Sequence, residues 1–142
     1  FDNIQDAKNS LGEIDLVFTS GALQCCSDPL LYLKKLTDLN APYLFMTRTP
    51  LCGGLSQIIT TQTCTLSTNG PGPLPQGFND RIITFPITYV SKQKVEDMLK
   101  EKYHIRFITE EGDGGFGMRD ESIRMVGYFC VLKMNNKETT LL

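Results

Sequence analysis

The sequence lacks the residues from which most metal centres and disulfide frameworks are built. Its 142 residues include only one histidine, His104, and no tryptophan. The five cysteines are odd in number and none are spaced C-x-x-C. Structural zinc sites use closely spaced cysteine and histidine ligands, and disulfide-rich folds use paired cysteines. We therefore expect reduced thiols, no bound metal and a cytoplasmic protein.

The sequence also lacks a long apolar run and a marked excess of either charge. No apolar run reaches the ~18 residues that a membrane-spanning helix needs, and no signal-peptide pattern is present. Lys and Arg number 14 against 16 Asp and Glu, which gives a net charge of -2. Nucleic-acid binding depends on clustered basic residues. We therefore expect a small molecule as partner rather than nucleic acid or a membrane.

The first half of the chain predicts an α/β order of elements. The apolar run at 16–18 is continuous, which is typical of a strand covered on both faces in a parallel sheet. Asp28 and Pro29 indicate a helix start, because Asp caps free amides and Pro suits the first helical position. A second buried strand is predicted at 43–47, ending at 48–50. Because a helix connects the two strands, we expect them to be parallel.

Residues 51–90 differ in composition from the rest and are rich in Gly, Pro and Thr. Two β-prone runs, 57–66 and 81–90, flank a turn-forming centre at 69–73, which predicts a loose hairpin or two extended arms around a turn. A segment of this length without a helix is uncommon in a compact domain and is often functional. We interpret 51–90 as a lid-like insertion on the substrate side.

The last part predicts a helix followed by two antiparallel strands. Ser91 is the expected helix cap, and the helix is followed by strands at 105–109 and 123–134. Their connection contains no helix, so the strands are expected to run antiparallel. The first strand, 14–20, has no predicted partner on its outer side. We expect an exposed apolar edge there, and self-association through it.

Two stretches resemble the class I S-adenosylmethionine-dependent methyltransferases. The run IDLVFTSGALQ at 14–24 is similar to the fourth strand of that superfamily and its following loop. The run YLFMTRTPL at 43–51 resembles the fifth strand of a bacterial family assigned to the methyltransferases, which carries RTP at this place. The start of the next helix, Asp28-Pro29-Leu30, resembles the superfamily as well, and Thr61-Gln62 and the segment Pro86…Tyr89…Ser91 resemble the bacterial family, so the resemblance spans nearly the whole chain. It implies an α/β protein that is the C-terminal half of a Rossmann-like methyltransferase fold, with parallel strands 4 and 5, an antiparallel terminal hairpin and helices packed on the sheet.

The cofactor-binding half of that superfamily has no counterpart in this sequence. It would precede Phe1 and carry a glycine-rich loop between a strand and a helix. The glycine-rich run at 112–117 joins two late strands and opens no helix, so it does not fit that fingerprint. Residues 1–142 are therefore interpreted as a partial methyltransferase domain, with the N-terminal half absent and the isolated fragment inactive.

The resemblance implies which residues face the cofactor, because the loop after strand 4 lies against S-adenosylmethionine and the substrate in this superfamily. The candidate cofactor residues are Ser20, Gly21, Ala22 and Leu23. An alternative of equal weight is that Gly21 serves only a turn and Leu23 only packs in the core.

A second group of residues is assigned to the substrate. The candidates are Gln24, Arg48, Thr49, Gln62 and Tyr89. Arg48 offers a guanidinium that can hold a carboxylate or phosphate through two hydrogen bonds. The alternative for Arg48 is an ion pair with a nearby carboxylate that fixes the loop. No catalytic residue is assigned, because His104 lies by an outer strand and Asp28 is explained as a helix cap.

The resemblance implies transfer of a methyl group to a small polar acceptor, such as a glycan or its precursor. A second hypothesis is a non-catalytic, methyltransferase-like binding or assembly module. A third is half of another Rossmann-type enzyme, such as a dehydrogenase. The RTP motif and the antiparallel terminal hairpin argue against the third hypothesis.

Overall fold

The computed structural model describes residues 3–68, 72–112, 115–118 and 121–134. The predicted turn at 69–73 and the glycine-rich run at 112–117 therefore lie partly outside the described residues. The helices within these ranges are α1 Ile4–Leu11, α2 Pro29–Thr37 and α3 Lys92–Lys102, with short 3-10 turns at Leu23–Cys25 and Leu66–Thr68. The strands are β1 Leu16–Ser20, β2 Tyr43–Cys52, β3 Ile58–Thr65, β4 Ile82–Ser91, β5 Tyr103–Glu110, β6 Phe116–Met118 and β7 Glu121–Leu132.

The strands form a mixed sheet in the order β1-β2-β7-β5. β1 and β2 are parallel, with Leu16 beside Tyr43 and Ser20 beside Thr47. β7 lies antiparallel to β2 on its other side, and β5 lies antiparallel to β7. The predicted α/β class, the parallel pair and the antiparallel terminal strands are thus confirmed.

β2 is longer than the sequence predicts. The expected end at 48–50 is wrong, because the strand passes through a bulge and continues to Cys52. Its register against β7 shifts between Met46 and Thr49, and Arg48 lies in this bulge. A bulge adds one residue to a strand and bends it, so pairing resumes beyond the extra residue. The last two residues of β2 then pair in parallel with the last two of β4.

The insertion at 51–90 is a regular antiparallel hairpin of β3 and β4. Its pairing runs from Ile58 beside Tyr89 to Thr65 beside Ile82. β4 joins β2 on the side that β1 occupies earlier along the strand. The hairpin is therefore an extension of the main sheet.

The two longer helices cover one face of the sheet and enclose the main core. Their apolar positions recur at helical spacing, so each helix turns one stripe towards the strands. The fully buried side chains of this cluster include Leu33, Leu44, Met46, Val95, Leu99, Tyr103 and Tyr128. The prediction that helices pack on the sheet is confirmed for α2 and α3.

The two helix starts differ in how they are capped. The backbone N–H of Leu31 donates to Asp28 Oδ1 at 2.9 Å, and Pro29 opens α2, as predicted. Ser91 occupies the cap position of α3 but makes no capping hydrogen bond. Its hydroxyl is buried without a hydrogen-bond partner in the described ranges. The predicted position of the α3 cap is therefore right and its predicted hydrogen bond is wrong.

The opposite face of the sheet carries a row of aromatic rings. Neighbouring ring centroids lie 5.7 Å apart for Phe18 and Phe45, 6.1 Å for Phe45 and Phe129, and 5.1 Å for Phe129 and Phe107. Tyr43 stacks on Phe129 at 5.9 Å. We call these five residues the aromatic row. Phe18 is 59% exposed. The predicted coverage of β1 on both faces is therefore not found within the described residues. The predicted exposed apolar edge at β1 is found.

None of the helices in the described ranges combines the length and the hydropathy that crossing a membrane requires.

Candidate functional site

The loop after β1 turns sharply at Gly21. The backbone φ of Gly21 is 60°, in the left-handed region that glycine adopts without steric cost. Its N–H donates to the carbonyl oxygen of Thr47 at 3.1 Å, which extends the pairing of β1 with β2 by one step. The exposed Ser20 precedes this turn, and the carbonyl oxygen of Ala22 accepts the N–H of Cys25 at 3.0 Å. The predicted cofactor loop is therefore anchored to the end of the parallel pair.

The side chain of Leu23 belongs to the core. It is 1% exposed and packs in the main cluster. The 3-10 turn that contains it contacts α2, β2 and β4. The insertion at 51–90 therefore lies against the predicted cofactor loop through β4. Leu23 is buried, as the packing alternative predicts.

Arg48 lies beside this loop with a strained backbone. Its φ is 54°, in the left-handed region. Among the described residues the other non-glycine residue with a positive φ is Asn40, and asparagine adopts the left-handed region more readily than arginine does. In arginine this conformation costs ~1–2 kcal/mol. A Cβ built on Gly21 would lie 3.9 Å from the Cβ of Arg48. The bulge of β2 and the turn after β1 are therefore direct neighbours.

A carboxylate stabilises the backbone of Arg48. The N–H of Arg48 donates to Glu111 Oε1 at 3.0 Å. The side chain of Arg48 is exposed, and in the part of the chain that the structure describes its guanidinium has no hydrogen bond or ion pair. The alternative interpretation of Arg48 is an ion pair with a nearby carboxylate. Glu111 is such a carboxylate, but it accepts the backbone N–H of Arg48, and the guanidinium stays exposed to solvent.

Gly127 of β7 makes room for this contact. A Cβ at position 127 would lie 3.0 Å from Glu111 Oε1 and 3.2 Å from the carbonyl oxygen of Met46. The N–H of Glu111 itself donates to the carbonyl oxygen of Met125 at 2.8 Å. Sequence reasoning missed both Glu111 and Gly127. The available signal was a glycine inside an apolar strand, which marks a bulge or a close approach.

Gln24 completes the group. Its Nε2 would lie 3.8 Å from a Cβ on Gly21, on the same side of the loop as Arg48. Its Oε1 is buried and accepts no hydrogen bond from the described residues. A buried amide oxygen without a donor costs about 1–3 kcal/mol. We call Gly21, Gln24 and Arg48 the Gly21 corner.

The remaining predicted substrate residues are either buried or far along the hairpin. Thr49 is 1% exposed, and its hydroxyl donates to the carbonyl oxygen of Thr47 at 3.3 Å. Gln62 is exposed in the middle of β3, opposite Phe85 and about 13 Å along the strand from the end of the hairpin nearest β2. Tyr89 is buried in a second small core with Cys52, Ile58, Ile87 and Ile123, and this burial raises the pKa of its phenol.

The adjacent thiols do not form an activated nucleophile. Cys26 Sγ donates to the carbonyl oxygen of Ala22 at 3.5 Å. Burial, and then the neighbouring Cys25, raise the pKa of the Cys26 thiol, and only a thiolate is a good nucleophile. His104 is exposed on β5, as predicted. Among the described residues, no three His, Cys, Asp or Glu side chains cluster as metal ligands.

A surface groove also lies at the opposite end of β1. It is lined by the α1–β1 and α2–β2 connections, including Gly12, Asp15 and Asn40. Ligands of open α/β sheets bind beyond the carboxyl ends of the strands. The Gly21 corner meets that condition, and the groove at the amino end of β1 does not.

No protein-family model and no curated protein matches the chain.

Proposed function

We propose that this chain is the acceptor-side half of a class I, Rossmann-like methyltransferase that acts in the cytoplasm. The reaction is transfer of a methyl group from S-adenosylmethionine to a small polar acceptor, such as a glycan precursor. The observation that carries the proposal is the sheet arrangement around the Gly21 corner. A parallel pair, β1 and β2, is followed by antiparallel strands, β5 and β7, and the corner lies at the carboxyl end of β1.

The fit of the described residues to the cofactor is partial. Gly21 leaves an open space where a side chain would stand, and Ser20 offers an exposed hydroxyl. Glu111 is a carboxylate beside the corner, and its Oε1 accepts the N–H of Arg48. The residues of this chain would line one side of the cofactor. Most of the contacts that bind the cofactor would come from the glycine-rich half, which has no counterpart in this sequence.

In methyl transfer the main role of the protein is to align the acceptor atom with the methyl group of the cofactor. S-Adenosylmethionine supplies the reactive methyl group when bound; the new bond to the acceptor forms as the bond from that carbon to sulfur breaks. The protein holds the acceptor in line and excludes water. A base is needed only where the acceptor must lose a proton. Exposed Arg48 and half-buried Gln24 are the chain's groups in position to orient an acceptor, and β4 shields the loop from one side.

Binding and transfer measurements test this proposal. Calorimetry of the 142-residue chain with S-adenosylmethionine is expected to show weak or no binding, and micromolar binding would contradict the division of roles. The protein in its full natural length is expected to carry a strand and a glycine-rich loop ahead of Phe1. It should transfer label from radiolabelled S-adenosylmethionine to a small polar acceptor. A natural chain without such a loop would exclude the enzyme.

A second candidate function is a non-catalytic binding or assembly module. The aromatic row and the outer edge of β1 favour it, because exposed apolar faces and unpaired strand edges promote association. Within the described residues β1 pairs only with β2, and Phe18 belongs both to this edge and to the aromatic row. A full-length protein that self-associates through this face and transfers no methyl group would favour the module over the enzyme.

A further inference from the structure

We propose that the outer edge of β3 pairs with the β3 edge of a second copy of this chain. The two strands run antiparallel about a two-fold axis beside Gln62, and the two hairpins join into one four-stranded sheet. This inference goes beyond methyl transfer and does not depend on it, because it rests only on the hairpin of β3 and β4.

The hairpin belongs to a segment with almost no charged residues. Residues 49–91 include two, Asp80 and Arg81, whereas the other 99 residues of the chain include 28. The Asp80 carboxylate accepts the N–H of Ser67 at 3.0 Å and the Ser67 hydroxyl at 2.7 Å. The centres of protein–protein interfaces are depleted of charged residues. The composition of this segment therefore indicates a surface that another protein chain covers.

The edge of β3 lacks the features that protect an edge strand from pairing. β3 and β5 stand at the two ends of the strand order, and within the described residues β3 pairs only with β4. β5 carries the charged Arg106 and Glu110, and its register is irregular between 105 and 107. The eight residues of β3 include no charge, proline or glycine, and their register against β4 is unbroken. Because charges, prolines and bulges block open edges in natural proteins, β3 is the end of this sheet that remains able to pair.

The part of the hairpin farther from β2 lacks the support of further strands. Near β2, Ile58 and Tyr89 are buried in the second small core. Farther along, Thr61, Gln62 and Thr63 are exposed in succession, so both faces of β3 are exposed there. A hairpin of two strands is at best marginally stable in water, and three or more strands give independent stability. A second β3 would raise the number of strands in this part from two to four.

The side chains of β3 fit a second copy of the same strand. With the two-fold axis beside Gln62, this residue faces its own copy, and Thr61 faces Thr63 of the second copy. Facing threonines stabilise an antiparallel pair, and the hairpin already contains one such pair, with Thr63 Oγ1 and Thr84 Oγ1 2.9 Å apart. Charged groups usually make the recognition of a different protein specific, and β3 has none. The neutral edge therefore favours a second copy as the partner.

Sedimentation equilibrium of the 142-residue chain tests the dimer. All variants carry Phe18→Asp, which removes the aromatic row and the outer edge of β1 as a second contact. A monomer–dimer equilibrium without larger species is expected, because a two-fold contact closes at two copies. Gln62→Lys places two ammonium groups beside the axis and should raise the dimer Kd about tenfold or more, whereas Gln76→Lys, exposed outside the strands, should leave the Kd unchanged. A chain that stays monomeric, or equal effects of the two lysines, would overturn the proposal.

Cross-linking tests the position of the axis. Facing residues of antiparallel strands have Cα atoms about 4.5–5.5 Å apart, which is within the range of a disulfide. With oxidised glutathione, Gln62→Cys should form a dimer in which peptide mass spectrometry finds a disulfide between the two Cys at position 62. Gln76→Cys is the control for random collision and should form far less dimer. A dimer without the bond at position 62 would refute pairing through β3. Neither experiment uses S-adenosylmethionine, so failure of the dimer leaves the proposed methyl transfer standing, and absence of methyl transfer leaves the dimer standing.

Discussion

Replacing Arg48 by glycine is expected to stabilise the fold, because glycine adopts a left-handed backbone without steric cost. The strain at a non-glycine residue with a φ of 54° amounts to ~1–2 kcal/mol. Glycine also gains freedom in the unfolded chain, which opposes the effect by about 0.4–1 kcal/mol. The exposed guanidinium has no described partner, so its loss costs little. We therefore expect the free energy of unfolding to rise by about 0.5–1 kcal/mol.

Urea denaturation followed by circular dichroism measures this difference, and the m-value should not change. For a chain of 142 residues the gain corresponds to a rise of about 1–4 °C in Tm. Arg48→Ala is the matched control, because alanine also removes the guanidinium but keeps the Cβ that causes the strain. The measurements are repeated at several protein concentrations, since self-association adds a concentration-dependent contribution.

The comparison between the two variants decides the argument. If the strain is real, Arg48→Gly is more stable than Arg48→Ala by about 0.5–1 kcal/mol. Equal stabilities would refute the reasoning, because the two proteins differ at this position only in Cβ.

Three further substitutions test other contacts. Gly127→Ala is expected to lower the free energy of unfolding by about 1–3 kcal/mol, because its Cβ would overlap the Thr109 hydroxyl oxygen and lie 3.0 Å from the Glu111 carboxylate; wild-type stability in urea would contradict this. Burial raises the pKa of Tyr103 from 10.0 to about 12. The contribution of the neutral phenol to the free energy of unfolding is therefore fully present below pH 10.0 and is lost as the pH rises towards 12. Tyr103→Phe should reduce this fall in the urea midpoint, and a wild-type midpoint that stays constant over this range would argue against it. Phe18→Asp should reduce self-association in sedimentation and Phe78→Asp, outside the aromatic row, should not; equal effects would exclude the row as the contact.

The elements that sequence predicts correctly are those with local signals. Asp28 and Pro29 mark the start of α2 through local effects. The Asp28 side chain accepts the N–H of Leu31, and Pro29 lacks the N–H that would be unpaired at the first helical position. The apolar runs of β1 and β2 and the helix between them imply a parallel pair, which the register confirms. The Gly- and Pro-rich centre of 51–90 implies a hairpin, and β3 pairs with β4 as expected.

The features that sequence misses depend on contacts between distant residues. The hydrogen bond from Arg48 to Glu111 joins positions 63 residues apart, and neither residue carries a local mark of it. The bulge of β2 is set by its register against β7, so the RTP motif falls inside the strand and not after it. Gly127 is the one local clue, since a glycine in an apolar strand indicates a close neighbour.

The placement of β7 has a consequence for the order in which the chain folds. β7 is the last described strand along the chain, yet it lies between β2 and β5, so its backbone must insert into an interior position. Pairings of this kind join residues far apart in sequence, such as Leu44 and Cys130, and they form slowly because a long loop must close first. During synthesis β2 and β5 each keep one edge of unpaired backbone N–H and C=O groups until β7 leaves the ribosome. The growing chain is therefore expected to be prone to aggregate until β7 has emerged and paired with β2 and β5.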